Sequence, residues 1–321
     1  MLLQAHARSD AEVVAVDLDT RSRPERTGRA VAKRALASRA AKRARILFKK
    51  IDSTLRGHVS AELASLRRPV VFAPAFPAQG RTVRQSRLHV NGRMQPADLR
   101  PLLARAGLPA TGIDLAAVRR PRLEEALRAA IAIGAHGLVC DAQTDGDLDR
   151  IARAGLALQP RPLFVGSAGL ARALARTLPR RRAARRPATQ SRPVVTVVGS
   201  ASAVSARQAK RLARDRSSIL VQMAWRRAPL PRDVAAVRRL GRLVAQSAPH
   251  AHYVLTGGET ARAVLQARGI RELRLLGEVE PGVPFGMTSD GTLVCTKAGG
   301  FGHAATLARC VARLQREMKK A

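Results

Sequence analysis

The sequence is short of several things. It has three cysteines in 321 residues, Cys140, Cys295 and Cys310, far apart and without a CxxC pair. That excludes a disulfide framework and a cysteine-built zinc site, and leaves ordinary buried thiols. It has six phenylalanines, one tyrosine and one tryptophan, too few for the stacking platforms that hold single-stranded nucleic acid. No apolar run approaches the ~18 residues a membrane span needs. The first ten residues lack a charged-then-apolar leader pattern, so the chain reads as cytoplasmic, with no membrane partner.

Acidic residues are scarce as well: 23 against 58 basic ones, a formal net charge of +35. Fifty of the basic residues are arginine and eight are lysine. They are spread along the whole chain, a skew that fits GC-rich coding as well as it fits phosphate binding. Nonspecific adhesion to RNA at low salt follows from such a charge. No specific nucleic-acid partner is expected. A basic RNA-binding protein is the competing reading from another class, and a salt titration of RNA binding separates the two.

What is present is a globular composition, 46% hydrophobic, and a length that suits about two domains of ~100–200 residues. Short apolar runs recur at Glu12–Val16, Arg45–Phe48, Val70–Ala73, Gly137–Cys140, Leu163–Val165, Val194–Val198, Tyr253–Thr256 and Leu293–Thr296. Several are continuously apolar, as in strands covered on both faces. Between them lie segments of helical spacing, such as Arg122–Ile133, Asp147–Ala157, Ser205–Asp215, Val234–Ala245 and Ala261–Arg268. The alternation predicts an α/β chain of two domains, each with a mostly parallel sheet flanked by helices. "LPRRRAARRPATQSRP" at 178–193 has like charges, prolines and no apolar face. It reads as a linker at 181–192, with a first domain at 1–180 and a second at 193–321.

Three polar turns follow strands in the second half: "VVGSASAVS" at 197–205, "LTGGETARA" at 255–263 and "TKAGGFGHA" at 296–304. Turns at the carboxyl ends of parallel strands are where ligands collect, and a following helix offers free N–H groups to an anion. None of the three matches the P-loop or the dinucleotide fingerprint. A fourth, "FVGSAGLARAL" at 164–174, has the same form, with close helix–sheet packing as its plainer explanation. In the first half, "FKKIDSTLRGHVSAEL" at 48–63 sets Lys50 and Arg56 around one turn. Two such cations can clamp a carboxylate, while Asp52 or Ser53 can cap the coming helix. "FAPAFPAQGR" at 72–81 adds Gly80 and Arg81, and "CDAQTDGDL" at 140–148 adds Asp141 and Thr144. "HAH" at 250–252 lacks further ligands, so no metal site is expected. His58 and His303 read as surface or helix-start histidines.

In order, "KIDSTLRG", "APAFPAQGR", "DAQTDGDL", "GSAGLA", "GSAS", "LTGGETA", "GEVEPGVPFG" and "TKAGGFG" resemble the motifs of the four-carbon acid sugar kinase family across about residues 10–310. The resemblance implies an ATP- and Mg²⁺-dependent kinase that phosphorylates the terminal hydroxyl of threonate, erythronate or 3-oxo-tetronate. The first domain would bind the small-molecule acid and the second the nucleotide, with the active-site cleft between them. It implies a sugar-acid site of Asp52, Ser53, Arg56 and Gly57, with Lys50 beside them. It implies nucleotide contacts from Ser200, Ser202, Gly257, Gly258, Glu259, Thr260, Gly299 and Gly300. Asp52 is the remaining candidate for a general base. Family members usually carry an Asp-Asp-x-Thr-Gly-Ala turn upstream of the segment matching "DAEVVAVDLDTRS", where this chain has almost nothing. They also carry more chain near 91–96 and between Gln222 and Ala228. A catalytically impaired nucleotide-binding homologue is therefore the second expectation. Homo-oligomerisation is left open.

Overall fold

The computed structural model describes residues 11–20, 23–64, 68–179, 189–215, 217–225 and 233–319. Contacts divide the chain into two compact units, one bounded by Leu18 and Arg182 and the other formed by the remainder. Most of the segment read as a linker at 181–192 lies outside the described residues, namely 181–188.

The unit from Leu18 contains β1 (Leu47–Lys50), β2 (Val70–Ala73), β3 (Arg81–Arg84), β4 (Arg87–Val90), β5 (Arg93–Asp98), β6 (Ala110–Ile113), β7 (Gly137–Cys140) and β8 (Leu163–Gly166). Five of these form a wholly parallel sheet in the order β1-β8-β2-β7-β6. The strands β2, β7 and β8 read VVFA, GLVC and LFVG and are buried at every position. That is the expected cost-free use of an unbroken apolar run: helices cover both faces, so no position needs a polar side chain. The helices Leu123–Ala132, Asp145–Ala157 and Ala168–Thr177 bury Leu127, Ile151 and Leu170 into one core with Phe72, Leu138 and Phe164. The fit is close: a Cβ added at Gly155 would stand 2.5 Å from the Phe164 ring.

The strands β3, β4 and β5 form a separate antiparallel ribbon, which the periodicity does not announce. Its two turns are tight, with positive φ at Gln85 and Ser86 in one and at Asn91 and Gly92 in the other. The Asn-Gly pair is a strong hairpin signal on its own. Glu12–Val16, expected as a strand, forms none; Val16 alone bridges. Val13 is 79% exposed, so the run lacks the covering face that would make its apolar residues worth pairing.

The second unit contains β9 (Val194–Val198), β10 (Ile219–Gln222), β11 (His252–Thr256), β12 (Arg274–Glu280), β13 (Val283–Met287) and β14 (Leu293–Lys297). Their order is β10-β9-β11-β14-β13-β12. The first four run parallel, and β13 and β12 extend the sheet antiparallel. Alternate residues of the central strands enter two cores. Val198, Val254 and Cys295 join Leu307, Cys310 and Leu314 of the helix Thr306–Met318. Val197, Tyr253 and Leu255 join Val244 and Val264 from the helices Val234–Ser247 and Gly258–Ala267. This is the period-two division of a strand between opposite faces. Among the described residues no helix is long and apolar enough to cross a membrane.

Candidate functional site

The strands β9, β11 and β14 are neighbours in the sheet, so the turns that leave their carboxyl ends emerge side by side. They touch. A Cβ added at Gly299 would stand 2.1 Å from Ser200 Oγ and 3.5 Å from Ser202 Cβ. One added at Gly199 would stand 2.2 Å from Thr260 Oγ1. Gly257, at φ 101°, donates its N–H to the Lys297 carbonyl at 2.8 Å. Ser200, Ser202, Gly257, Gly258, Glu259, Thr260, Gly299 and Gly300 therefore belong to one cluster.

Its polar groups divide into spent and unspent. Ser202 Oγ accepts from Val204 N at 3.3 Å and caps the helix Ala203–Leu212, and Ser200 Oγ accepts from Ser202 N at 3.2 Å. Each hydroxyl keeps its own proton to donate. The N–H groups of Gly258, Glu259 and Thr260 open a helix and have no partner within it. None of them, nor those of Gly299 and Gly300, meets a backbone acceptor among the described residues. A Cβ at Gly258 or at Gly300 would meet nothing within 4 Å. Thr256 Oγ1, buried at the end of β11, has no hydrogen-bond partner among the described residues. Donors without acceptors, gathered around open space at a helix start, are an arrangement able to receive an anion.

Sequence reasoning passed over two residues here. Lys297 closes β14 and buries its ammonium among carbonyls of the same turn. Desolvation pulls its pKa down to about 8, against a partial upward pull from Cys310 and Glu280. Trp225, half-buried, donates its indole N–H to the Gly199 carbonyl at 3.0 Å. The available signals were scarcity itself: one of eight lysines among fifty arginines, and the chain's single tryptophan. His303 is exposed and lies just before the last helix, as expected, and its Nε2 stands 3.2 Å from Glu280 Oε2.

In the other unit, Asp52, Ser53, Arg56 and Gly57 share the turn after β1. Asp52 is heavily committed. Its Oδ2 accepts from Thr54 N at 3.1 Å, Thr54 Oγ1 at 2.5 Å and Arg56 Nε at 3.1 Å, and its Oδ1 accepts from Arg56 Nη2 at 3.2 Å. Burial works to raise the carboxyl, but the hydrogen bonds from Arg56 and Thr54 outweigh it and hold Asp52 well below the usual carboxylate range. A carboxylate held that far down is a poor proton acceptor, so the chemistry does not favour it as a base. Nor does it cap the following helix: the cap position of Val59–Leu63 is His58, with no side-chain cap bond. Lys50 is exposed, whereas Lys49 turns inward to pair with Glu62, whose Oε1 also accepts from Thr20 Oγ1 at 2.5 Å.

Two further turns have plain structural work. Asp141 accepts from Gln85 N at 2.6 Å and Ser86 N at 2.9 Å and so latches the β3–β4 turn. Thr144 and Asp147 form a capping box on the helix Asp145–Ala157. The 166–171 turn is close packing: a Cβ at Gly166 would stand 2.5 Å from the Ala73 carbonyl oxygen, and one at Gly169 2.4 Å from that of Ala75. His252 is wholly buried, with Nδ1 accepting from Leu293 N at 2.9 Å and Nε2 at 3.0 Å from the Gln190 carbonyl, and burial lowers its pKa. No cluster of metal-ligating side chains occurs among the described residues.

Two compact units, each built on a parallel sheet or a largely parallel one, with glycine turns at the carboxyl ends of the strands, make this an α/β protein. A sugar-binding N-terminal domain matches residues 1–174 and a nucleotide-binding C-terminal domain matches residues 216–307. A D-threonate kinase of Cupriavidus necator is 38% identical, over 93% of this chain and 87% of its own length. A D-threonate kinase of Bordetella bronchiseptica is 33% identical, over 93% and 85%. A 3-oxo-tetronate kinase of Cupriavidus necator is 28% identical, over 78% and 74%. The fold matches the Haemophilus influenzae protein HI1011 with a TM-score of 0.74 at 18% identity, over 97% of this chain and 92% of that one. The chain belongs to the four-carbon acid sugar kinase family.

Proposed function

We propose that the protein is an ATP-dependent kinase acting on the terminal hydroxyl of a four-carbon sugar acid, with D-threonate the first substrate to test. The observation that carries this reading is the convergence of the three turns, with unspent amides around open space. A triphosphate needs such donors, because phosphoryl transfer is mostly positioning and charge neutralisation. The amides of Gly258, Glu259, Thr260, Gly299 and Gly300, with the hydroxyls of Ser200 and Ser202, would hold the phosphates. Glu259, exposed and the one carboxylate in these turns, would hold a Mg²⁺ ion that keeps most of its waters and neutralises phosphate charge.

Arg56 is the proposed grip on the acid. Its pairing with Asp52 uses two of its five N–H donors and leaves three for a carboxylate. Asp52 then orients Arg56 and does not take the hydroxyl proton. Losing such a charged hydrogen bond costs about 1.5–3 kcal/mol. Arg56→Ala is therefore expected to raise KM for the sugar acid about tenfold to a hundredfold, with KM for ATP little changed. Steady-state kinetics with each substrate varied in turn check this; an equal rise in both constants would remove the role.

The nucleotide site itself is tested by fluorescence. Trp225 is the chain's single tryptophan and is bonded to the Gly199 turn, so saturable ADP or ATP binding is expected to shift its emission. Coupled measurement of ADP release with D-threonate, erythronate and 3-oxo-tetronate then assigns the acceptor. No shift and no calorimetric heat with either nucleotide would end the reading. Binding without turnover on any of the three acids would leave a nucleotide-binding homologue.

A further inference from the structure

Lys297 has surroundings that the nucleotide reading does not use. It is 3% exposed, and no carboxylate pairs with it among the described residues. Instead its Nζ lies 2.9 Å from the carbonyl oxygen of Ala298, 3.0 Å from that of Gly299 and 3.2 Å from that of Phe301. Ser205 Oγ stands 3.4 Å away. An ammonium has three N–H donors, and four acceptors surround this one. Nothing is left over for a phosphate.

The consequence follows from peptide geometry. In a planar trans peptide the carbonyl of one residue and the N–H of the next point in opposite directions. Drawing in the carbonyls of Ala298, Gly299 and Phe301 therefore turns out the N–H groups of Gly299, Gly300 and Gly302. None of these three N–H groups has a backbone acceptor among the described residues. We propose that Lys297 is the positioning residue of the third turn: it gathers three carbonyls inward and so aims three amides outward at the phosphates, without touching them itself. The inference rests on the nucleotide reading above and says how one wall of that site is shaped.

The helix Ala203–Leu212 reinforces the arrangement. Ser205 Oγ donates to the Gly299 carbonyl at 2.7 Å, and Gln208 Nε2 donates to the carbonyls of Phe301 at 3.1 Å and His303 at 2.8 Å. The charge on Lys297 is also conditional. Burial pulls it down, while Glu280 on β12 and Cys310 on the helix Thr306–Met318 pull it partly back. The other groups facing this corner are the buried thiol of Cys295, His303, and Arg309, the last two against Glu280. Raising the pH past about 8 discharges Lys297 well before an ordinary lysine, and the turn loses its anchor.

The test compares wild type with Lys297→Met, which keeps the stem and removes the charge. ADP affinity is measured by calorimetry at pH 7.5 and 9.5, and amide exchange of residues 298–302 is measured without nucleotide. Wild type is expected to bind ADP about tenfold more weakly at pH 9.5. Lys297→Met is expected to bind about 10–100-fold more weakly at pH 7.5, to show no further loss at pH 9.5, and to exchange faster at the Phe301 amide, which donates to the Ala298 carbonyl at 3.1 Å in the anchored turn. A variant that binds like wild type overturns the proposal. So does one that binds weakly with exchange unchanged, which would mean direct contact between Lys297 and phosphate. Should the variant fail to fold, wild-type affinity that stays flat from pH 7.5 to 9.5 overturns it alone. Wild type that binds no adenine nucleotide at either pH ends the nucleotide reading and this inference together, a result distinct from all the others.

Discussion

Gly299→Ala is expected to weaken ADP binding at least about a hundredfold, ~2.7 kcal/mol by the usual conversion. The added Cβ would stand 2.1 Å from Ser200 Oγ, 3.0 Å from Ser200 Cβ and 3.5 Å from Ser202 Cβ. Rotating the serine hydroxyl relieves the first of these. The contact with Ser200 Cβ remains, so the first and third turns must move apart. Overpacking of this kind costs about 1–3 kcal/mol, and the displacement falls on the amides proposed to hold the phosphates. Gly258→Ala is the informative control. Its Cβ would meet nothing within 4 Å, and alanine is the better residue at a helix position by up to about 1 kcal/mol. That variant is expected to melt no lower than wild type and still to lose ADP affinity, because its methyl enters the open space between the turns. Calorimetric titration and thermal melting of both variants decide the matter. Wild-type affinity in Gly299→Ala would mean that the meeting of the turns is unconnected with binding.

The sequence was readable where one kind of force dominated. The strands β2, β7 and β9 begin and end where their apolar runs do, because a strand covered on both faces needs only hydrophobicity and turn signals at its ends. The antiparallel ribbon was hidden because its strands are written in arginine, RTVR and RLHV. Its order comes from turns and from Asp141, a latch 55 and 56 residues away in sequence. The same limit applies to the site. Glycines, serines and the GGET stretch could be picked out as turns, but that Gly299 meets Ser200 and Gly199 meets Thr260 depends on which strands are neighbours. Arg56 could be picked out with Lys50 as a carboxylate clamp and Asp52 as a helix cap; that Asp52 and Arg56 are instead each other's main partner is a matter of turn conformation, with Leu55 at φ 62° and Gly57 at φ 102°. The role of Lys297 was unreadable for a similar reason, although its rarity among the arginines could have drawn notice to it. Its partners are carbonyls, which every residue has, so no side-chain pattern betrays them.

Asp147→Ala is expected to lower the stability of the first unit by about 2–4 kcal/mol, from stranded buried donors and a lost helix cap together. Asp147 is 3% exposed. Its Oδ2 accepts from Gln143 N and Thr144 N, each at 3.0 Å, and from Arg119 Nη2 at 3.1 Å, while Oδ1 accepts from Arg119 Nε at 2.9 Å. Alanine would leave two backbone N–H groups unanswered at the start of a thirteen-residue helix. Arg119 is 47% exposed in its side chain and turns to water when its partner goes, so Arg119→Ala is expected to be mild. The ordering of the two variants shows that the cap, and not the ion pair, carries the effect. Acid supplies an independent check. Burial works to raise the Asp147 carboxyl, but the bonds from Arg119 and the two amides outweigh it and lower the pKa from 3.8 to about 2. A depressed carboxylate contributes stability that is fully present above its unfolded pKa and is lost as pH falls through its folded one. Wild type should therefore melt above Asp147→Asn by a constant margin down to about pH 4. The margin should then close as the pH falls towards 2, since the asparagine has no proton to gain. Calorimetric melts of the two proteins across that window read it directly, and a margin that stays constant to pH 2 would show that the carboxylate charge plays no part in the cap.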